Sequence, residues 1–239
     1  MKSRLGVNVD HIATLRNARG EGHPDPISYA RQVMNFGANS ITIHLREDRR
    51  HIRDEDVAIF SKIKRIPINL EMAANNEMLK IALKYKPNFV CIVPEKRNEI
   101  TTEGGLNITR NKKIIKKVIS KLNSKKIRTS LFINPNIKDV FASKELNANC
   151  VELHTGKFAL KVKNNKNYLV EFKKIKNCAT LAKKLGMEVH AGHGLDYKST
   201  KILRKIKSIE EFNIGHFIIG EAIMFGMKKV ITNFRKILN

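Results

Sequence analysis

Ionisable side chains recur along this chain at the ends of short apolar runs, and a stretch with helical character follows each run. The groups concerned are Asp10, His11, His44, Glu71, Glu152, His154, His193 and His216. If the apolar runs are neighbouring parallel strands, groups at the same end of successive strands converge in space. Converging carboxylates and imidazoles can transfer protons, so the pattern predicts an active site.

Glu71 is the residue whose context points most directly to chemistry. It lies between Leu70 and Met72, late in a predicted strand. Its carboxylate should therefore be partly desolvated, which raises its pKa and suits proton transfer near neutral pH. The alternative is a buried glutamate that pairs with Arg46 or with a histidine for structural reasons only. We favour the catalytic interpretation.

Three histidines, His44, His193 and His216, end or nearly end predicted strands. One histidine on an apolar strand is usually a satisfied core residue, but several at one barrel mouth favour acid–base chemistry. A metal site is the alternative. The sequence contains no HExxH motif, no Cys/His pairing and no spacing of two histidines with a carboxylate. We therefore predict a site without metal.

Two parts of the sequence have the composition of anion-binding sites. Arg46 and His51 follow the second predicted strand, and a guanidinium matches the geometry of a phosphate. The glycine-containing segment 192–194 follows the seventh predicted strand, Gly215 lies in the eighth, and Gly220 opens the last predicted helix. Barrels often bind phosphate through backbone N–H groups in this region, although glycine also serves turns and caps.

The polar segment 95–105 follows the fourth predicted strand and has glycines at its far end. This composition predicts a lid that closes over a charged ligand and excludes water. A merely exposed, mobile loop is the alternative.

Strand-like and helix-like segments alternate from one end of the chain to the other. The predicted strands are 5–9, 41–45, 68–72, 89–93, 129–133, 150–154, 188–191 and 214–219. The helices expected between and after them are 25–37, 54–64, 76–86, 107–122, 136–146, 168–185, 197–206 and 221–238, with an irregular insert at 157–168. Eight such units predict a single (β/α)₈ barrel domain over residues 1–239, of the TIM-barrel class with additional helices. No GxGxxG motif follows the first strand, which argues against a Rossmann domain.

Several predicted strands have one polar face. Thr42 and His44 share a face of the second strand, and Asn69 and Glu71 share a face of the third. Buried parallel strands are normally almost entirely apolar. We therefore expect the polar faces to point into the barrel and the apolar faces to pack against the helices.

The composition is that of an ordinary globular protein with an unusually basic surface. The formal charge is +24, from 46 basic and 22 acidic residues, which raises the alternative of a nucleic-acid or membrane partner. Many lysines, such as Lys112, Lys113 and Lys116, occupy apparent outer helix faces, so we favour a solvated surface and predict neither partner. The three cysteines show no CxxC spacing and no segment resembles a signal peptide or a membrane span, so a cytoplasmic location is expected.

At its motif positions the sequence resembles the pyridoxine 5′-phosphate synthase family of vitamin B6 biosynthesis. The matching segments, which occur in order along the chain, are 6–20, 43–52, 69–73, 93–97, 101–106, 152–156, 191–195 and 213–216. The resemblance implies a (β/α)₈ barrel with extra helices that assembles as a homo-octamer. It also implies condensation of 3-amino-2-oxopropyl phosphate with 1-deoxy-D-xylulose 5-phosphate, without metal or organic cofactor, to give pyridoxine 5′-phosphate, inorganic phosphate and water.

The resemblance also implies a role for each matching residue. Glu71 and His44 correspond to proton acceptors, His193 to a proton donor and Glu152 to a transition-state stabiliser. The residues implied for the aminoketone phosphate are Asn8, Arg19, Gly194, Gly215 and His216. The residues implied for the deoxyxylulose phosphate are Asp10, His11, Arg46, His51 and Thr101.

Two other functions stay open at this point. Another phosphate-handling barrel, such as an isomerase or a lyase, would not need both substrates in order to release phosphate. A nucleic-acid-binding protein would bind DNA or RNA tightly and with a steep dependence on salt. The low aromatic content of 6% argues against exposed stacking platforms for bases.

Overall fold

The structure, a computed structural model, describes residues 2–95 and 104–239 and contains a closed barrel of eight parallel strands. The strands neighbour one another in chain order, and β8 pairs with β1 to close the barrel. They are β1 (Arg4–Asn8), β2 (Ser40–His44), β3 (Ile68–Met72), β4 (Phe89–Ile92), β5 (Arg128–Ile133), β6 (Cys150–His154), β7 (Glu188–Gly192) and β8 (Glu211–Ile214). The predicted (β/α)₈ barrel is confirmed.

Helices follow every strand and surround the barrel. They are α1 (Asp10–Arg19), α2 (Pro26–Asn35), α3 (Asp54–Ser61), α4 (Asn76–Tyr85), α5 (Ile108–Ser124), α6 (Ile137–Glu145), α7 (Gly156–Lys163), α8 (Leu169–Lys184), α9 (Tyr197–Leu203), α10 (His216–Phe225) and α11 (Met227–Leu238). Within the described ranges, no helix is long and apolar enough to cross a membrane.

Several helix ends follow from local sequence. Asp25 caps α2 by accepting hydrogen bonds from the backbone N–H groups of Ile27 and Ser28, and Pro26 occupies the first helical position. Asn75 accepts from the N–H group of Met78 at the start of α4. Both caps satisfy N–H groups that the start of a helix leaves without a partner inside the helix.

Two helices were not predicted. Helix α1 begins at Asp10 directly after β1, and its N-cap residue Val9 makes no side-chain cap, so no capping signal marked its start. It ends at Gly20, whose φ of 73° is the left-handed conformation that glycine adopts at no steric cost. Helix α7 occupies the predicted irregular insert at 157–168, and Thr155 before it also makes no side-chain cap.

The predicted eighth strand, 214–219, is wrong. The observed strand is Glu211–Ile214, and the following apolar residues belong to α10, which begins at His216. A short apolar run fits a buried strand and a buried helix equally well, so its periodicity does not separate the two. The last predicted helix, 221–238, is divided at Gly226 (φ 78°) between α10 and α11.

The barrel interior is polar and the layer between strands and helices is apolar, as the alternating pattern predicted. Ile41 and Ile43 of β2 are fully buried in the hydrophobic core. From the opposite face of β2, the Thr42 hydroxyl donates to Asn213 Oδ1 of β8 at 3.3 Å. Because β8 and β2 are separated by β1, this bond crosses the barrel interior.

At the N-terminal end of the strands, a set of ion pairs fills the barrel. Arg4 of β1 contacts Glu188 and also pairs with Glu211 at 2.7 Å between Nε and Oε2. Arg128 of β5 contacts the other oxygen of Glu188, and His190 Nε2 lies 3.0 Å from Glu188 Oε1. These paired charges occupy the interior at the N-terminal end of the strands, so a site that binds a ligand is expected at the C-terminal end.

Candidate active site

Asp10 lies just after β1 and connects the ends of β1 and β2. Its Oδ1 accepts a hydrogen bond from the backbone N–H group of His44 at 2.8 Å, and its Oδ2 accepts from Asn8 Nδ2 at 2.8 Å. Burial raises the pKa of Asp10, while the neighbouring His44, including its backbone N–H group, and the hydrogen bond from Asn8 partly offset the effect. The structure therefore brings together the predicted residues Asn8, Asp10 and His44.

His44 lies between two carboxylates. Its Nδ1 is 3.8 Å from Glu71 Oε2, and its Nε2 is 3.1 Å from Glu95 Oε1. Glu95 Oε2 also accepts from the backbone N–H group of Glu47 at 2.8 Å. Burial alone would raise the pKa of Glu95, but the hydrogen bonds from His44 and Glu47 hold this pKa below its ordinary value. Glu95 is therefore an anionic partner for the imidazole.

Glu71, on β3, has a pKa well above its ordinary value. Burial is the main cause, and the negative charges of Glu152 and Asp10 add to it, while Arg46 opposes them. This is the direction that the apolar neighbours of Glu71 predicted. Glu71, His44 and Asp10 have ligand atoms within 4.8 Å of one another, so these three residues are placed where they could hold a metal ion. The absence of a metal stays a prediction.

Cationic and imidazole groups gather beside this cluster. His51 Nδ1 is 2.7 Å from the Thr14 hydroxyl, and the ring of His11 lies 6.3 Å from that of His51 and 5.1 Å from that of His216. Burial lowers the pKa of His11, with the His216 charge adding to the effect, and burial likewise lowers the pKa of His51. Rings held together in this way can offer N–H groups to an anion.

Two buried nitrogen atoms at this mouth have no hydrogen-bond partner in the described part of the chain, Arg46 Nε and His11 Nδ1. Asp48 Oδ1 is 3.9 Å from Arg46 Nε, too far for a hydrogen bond. Buried polar groups are normally satisfied, so an unsatisfied pair needs an explanation. A bound anion would supply acceptors for them.

His193 follows β7 in a left-handed conformation, with φ of 83°. The Thr155 hydroxyl contacts the carbonyl oxygens of Gly192 and His193, both at 2.7 Å, and so fixes this turn. The His193 ring stacks on His154 with 4.7 Å between centroids. Burial lowers the pKa of His193, and burial together with the His193 charge lowers that of His154 to about 4. Gly194 follows with φ of 75°.

Gly215 and His216 lie at the start of α10 and not in a strand. A Cβ atom at Gly215 would come within 2.8 Å of Asn8 Cβ, so a side chain here would displace Asn8. Helix N-termini attract negative charge, so the start of α10 suits the anion site that the sequence assigned to Gly215 and His216. Gly220 does not open the last helix, since it lies within α10.

Glu152 lies on β6 inside the barrel, and 2% of its surface is exposed. Its Oε2 accepts from Asn213 Nδ2 at 2.8 Å. Burial raises the pKa of Glu152 to about 7, although the charge of His190 and the hydrogen bond from Asn213 pull it down. The group therefore changes charge near neutral pH.

One of the predicted site residues, Arg19, is not brought into this cluster. The Arg19 side chain is 76% exposed at the end of α1, pairs with Glu21 at 3.3 Å and bonds to none of the other predicted residues that the structure describes. Thr101, and with it most of the predicted lid, lies outside the described residues. Sequence reasoning missed the roles of Glu95 and His154, although both lie in motifs that drew attention.

The closed parallel barrel, with ionisable groups at the C-terminal ends of its strands, defines a (β/α)₈-barrel enzyme. Solved structures agree on the fold. A 3-keto-L-gulonate-6-phosphate decarboxylase from Vibrio cholerae has a TM-score of 0.67 at 12% identity, covering 100% of this chain and 98% of that one. The tryptophan synthase A-subunit from Pyrococcus furiosus has a TM-score of 0.62 at 14% identity, covering 100% and 99%. At these identities the likeness shows the fold alone.

The chain belongs to the family described as pyridoxal phosphate biosynthesis protein PdxJ, whose profile matches residues 5–239. A pyridoxine 5′-phosphate synthase from Pelagibacter ubique is 63% identical over 236 residues, covering 99% of each chain. The enzyme of that name from Zymomonas mobilis is 50% identical over 236 residues, covering 99% of this chain and 91% of the relative. The resemblance drawn from the motifs is confirmed.

Proposed function

We propose that this enzyme is a pyridoxine 5′-phosphate synthase that condenses 3-amino-2-oxopropyl phosphate with 1-deoxy-D-xylulose 5-phosphate. The products are pyridoxine 5′-phosphate, inorganic phosphate and water. The observation that carries the proposal is the match to the family along nearly the whole chain. The site geometry supports it, because groups suited to proton transfer lie beside groups suited to anion binding.

The proton transfers are assigned to groups at the barrel mouth. Glu71 and His44 act as proton acceptors. An imidazole that donates from Nε2 to Glu95 leaves Nδ1 as an acceptor on the side of Glu71. His193 acts as the proton donor, held by Thr155 at the end of β7. Several acid–base groups around one pocket suit a reaction that forms an imine, eliminates phosphate, closes a ring and loses water.

We assign Glu152 to stabilising a positively charged transition state from inside the barrel, deeper than the groups at the mouth. Its position inside the barrel keeps the carboxylate out of water, where a charge interacts strongly with a developing opposite charge. Imine formation creates such a positive charge on nitrogen. The carboxylate must be ionised for this role, and its pKa of about 7 leaves a large ionised fraction above neutral pH.

The two phosphorylated substrates are assigned to two anion sites. The first assignment, for the deoxyxylulose phosphate, is Asp10, His11, Arg46, His51 and Thr101; the unsatisfied Arg46 Nε and His11 Nδ1 support it. The second, for the aminoketone phosphate, is Asn8, Arg19, Gly194, Gly215 and His216; the start of α10 supports it. Arg19 is included from the resemblance alone, because its side chain points into solvent in this chain.

The test of the proposed reaction is release of inorganic phosphate by the purified protein. Phosphate should appear only when both substrates are present, because elimination follows their condensation. Release from either substrate alone would instead indicate an isomerase or lyase on the same barrel. A binder of nucleic acid would release none from either.

The proposed assembly is a homo-octamer located in the cytoplasm. Three consecutive apolar residues at the end of α10 are exposed, Ile223 by 73%, Met224 by 78% and Phe225 by 53%. Contiguous exposed apolar side chains commonly mark protein–protein contacts. Sedimentation should give about eight times the 27.3 kDa mass of one chain. A monomer at micromolar concentration would contradict the assembly.

A further inference from the structure

Glu152 and Asn213 form a buried pair inside the barrel, below the proposed proton acceptors. Glu152 is on β6 and Asn213 is on β8, so the hydrogen bond of 2.8 Å between Asn213 Nδ2 and Glu152 Oε2 passes over the intervening strand β7. The exposed fractions are 2% and 6%. Such a bond is protected from water and constrains the carboxylate at one oxygen atom.

A chain of polar groups fixes which end of the Asn213 amide faces Glu152. Asn69 Nδ2 donates to the Thr42 hydroxyl at 3.4 Å, and that hydroxyl donates to Asn213 Oδ1 at 3.3 Å. The amide oxygen is thereby engaged by a donor, so its NH₂ group must point toward Glu152. The polar chain crosses from β3 to β6 and has a single consistent direction.

Two glycines make room for this pair. A Cβ atom at Gly192 would overlap Glu152 Oε1, and a Cβ atom at Gly6 would overlap Asn213 Oδ1. Neither glycine has a positive φ, so backbone conformation does not account for them. Glycine at positions 6 and 192 is explained by the space that the Asn213 and Glu152 side chains need. The surrounding strands are therefore shaped to hold this pair.

The other charged and titratable groups that face Glu152 come from four strands. His190 of β7 favours its charged form, while Glu211 of β8 opposes it. Burial works against the charge on His190, yet Cys150 and Glu211 raise its pKa to about 9. Cys91 Sγ of β4 is 4.0 Å from Glu152 Oε2, and the negative charge of Glu152 acts on Glu71 of β3. Asn213 and the Cys91 thiol are the uncharged donors among these neighbours, and the bond from Asn213 is the shorter of the two, 2.8 Å against 4.0 Å.

We propose that Asn213 is a positioning residue that keeps the Glu152 carboxylate ionised and aimed at the reacting centre, with Thr42 fixing the orientation of its amide. The proposal rests on the proposed role of Glu152 in the reaction. Because the hydrogen bond from Asn213 stabilises the ionised form, its loss must move the titration of Glu152 to higher pH. A residue that only filled space would not move that titration.

The test is carboxyl-carbon NMR of protein labelled at glutamate, with Glu152→Gln used to assign the Glu152 signal. In Asn213→Ala the midpoint should rise by about one to two pH units, the size expected for loss of a hydrogen bond to a charged group. The pH at which kcat falls to half on the acid side of its pH profile should rise by a similar amount. Thr42→Val, which keeps the side-chain shape, should give a smaller rise in the same direction.

Thr129→Val is the matched control. Thr129 is as fully buried as Thr42, but its hydroxyl contacts Asn123 and Asn149 at the other end of the barrel wall. It should lower the melting temperature without moving the Glu152 midpoint. An unchanged midpoint in folded Asn213→Ala, or in Thr42→Val if the first variant does not fold, would overturn the inference. The NMR titration needs no turnover, so a protein that titrates as expected but forms no product would overturn the proposed function instead.

Discussion

Three carboxyl groups, two at the barrel mouth and one deeper inside the barrel, are held where ionisation is unfavourable. Burial raises the pKa of Asp10, Glu71 and Glu152, and for Glu71 the other two acids add to the effect. A buried group with a raised pKa costs stability whenever it must be charged. Such costs are concentrated at functional sites, where the shifted pKa is useful.

Glu71→Gln should leave the fold intact and remove most of the turnover. The amide keeps the size of the side chain but cannot relay protons, and a positioned acid or base contributes about 10²–10⁴-fold. Steady-state kinetics and circular dichroism together test this. Activity within a few-fold of the wild type would remove Glu71 from its assigned role.

Glu152→Gln should stabilise the protein more at pH 8 than at pH 5. The pKa of about 7 in the folded protein lies above the ordinary glutamate value of 4.5, so ionisation begins to cost folding free energy above pH 4.5 and reaches its full cost above pH 7. The glutamine has no such cost. The difference of about 2.5 pH units between the two pKa values corresponds to roughly 3 kcal/mol, by which the free energy of unfolding of Glu152→Gln should exceed that of the wild type at pH 8.

Urea unfolding of Glu152→Gln and wild type at the two pH values measures this difference. Glu145→Gln is the control, because the Glu145 side chain is 63% exposed on α6 and its substitution should have no pH-dependent effect of this size. A stabilisation that is equal at both pH values would show that Glu152 is not the titrating group.

Arg46→Met should weaken binding of deoxyxylulose phosphate by about ten- to a hundredfold. The methionine keeps the length of the side chain but removes the charged group, and a charge-assisted contact is worth roughly 1.5–3 kcal/mol. The aminoketone phosphate should be largely spared. Calorimetric titration of each substrate alone, with a melting curve of the variant, distinguishes the sites; weakening only of the aminoketone would mean that the two sites are reversed.

The turns after β6 and β7 hold His193, the proposed proton donor. Thr155→Val should lower both kcat and the melting temperature, because the turn loses the Thr155 hydroxyl that contacts the carbonyl oxygens of Gly192 and His193. A lost buried hydrogen bond of this kind costs about 1–3 kcal/mol. Thr200→Val is the control, since the buried Thr200 hydroxyl has no hydrogen-bond partner in the described chain. Equal effects of both variants on kcat would contradict a role for Thr155.

Most elements could be predicted because the core strands are apolar runs bounded by polar caps. The exceptions have physical causes. Helix α1 starts without a side-chain cap. The bounds of β8 are hard to predict because Glu211 and Asn213 are polar, whereas the apolar residues that follow the strand are helical. Among site residues, Glu95 and Asn213 were assigned no role, because their partners His44 and Glu152 come from distant strands. Which side chains meet across the barrel interior depends on the register between neighbouring strands, and this register cannot be read from the sequence alone.

The formal charge of +24 includes lysines that pair with acids near the surface, such as Lys112 with Glu145 and Lys183 with Glu210. Such a surface attracts anionic substrates at long range. The ion pairs at the N-terminal end of the strands leave the opposite end open for them. Closure of the eight strands therefore brings the proposed anion-binding and proton-transfer groups from separate parts of the chain to one end of the barrel.

Chelators should not inhibit the enzyme. The carboxylates and the imidazole of Asp10, His44 and Glu71 could hold a cation geometrically, but in this account they bind substrate and move protons. Turnover measured with and without EDTA, after dialysis, tests the point. Loss of activity that a divalent metal restores would assign these residues to a metal site.

The central claim is that the chain joins two phosphorylated substrates into one pyridine ring, and isotope tracing tests it most directly. The purified protein is incubated with both substrates, the aminoketone carrying ¹⁵N, and the products are separated and analysed by mass spectrometry. We expect pyridoxine 5′-phosphate that is one mass unit heavier, with one phosphate released for each ring formed and none from either substrate alone. Absence of labelled pyridoxine 5′-phosphate in the presence of folded protein and both substrates would contradict it.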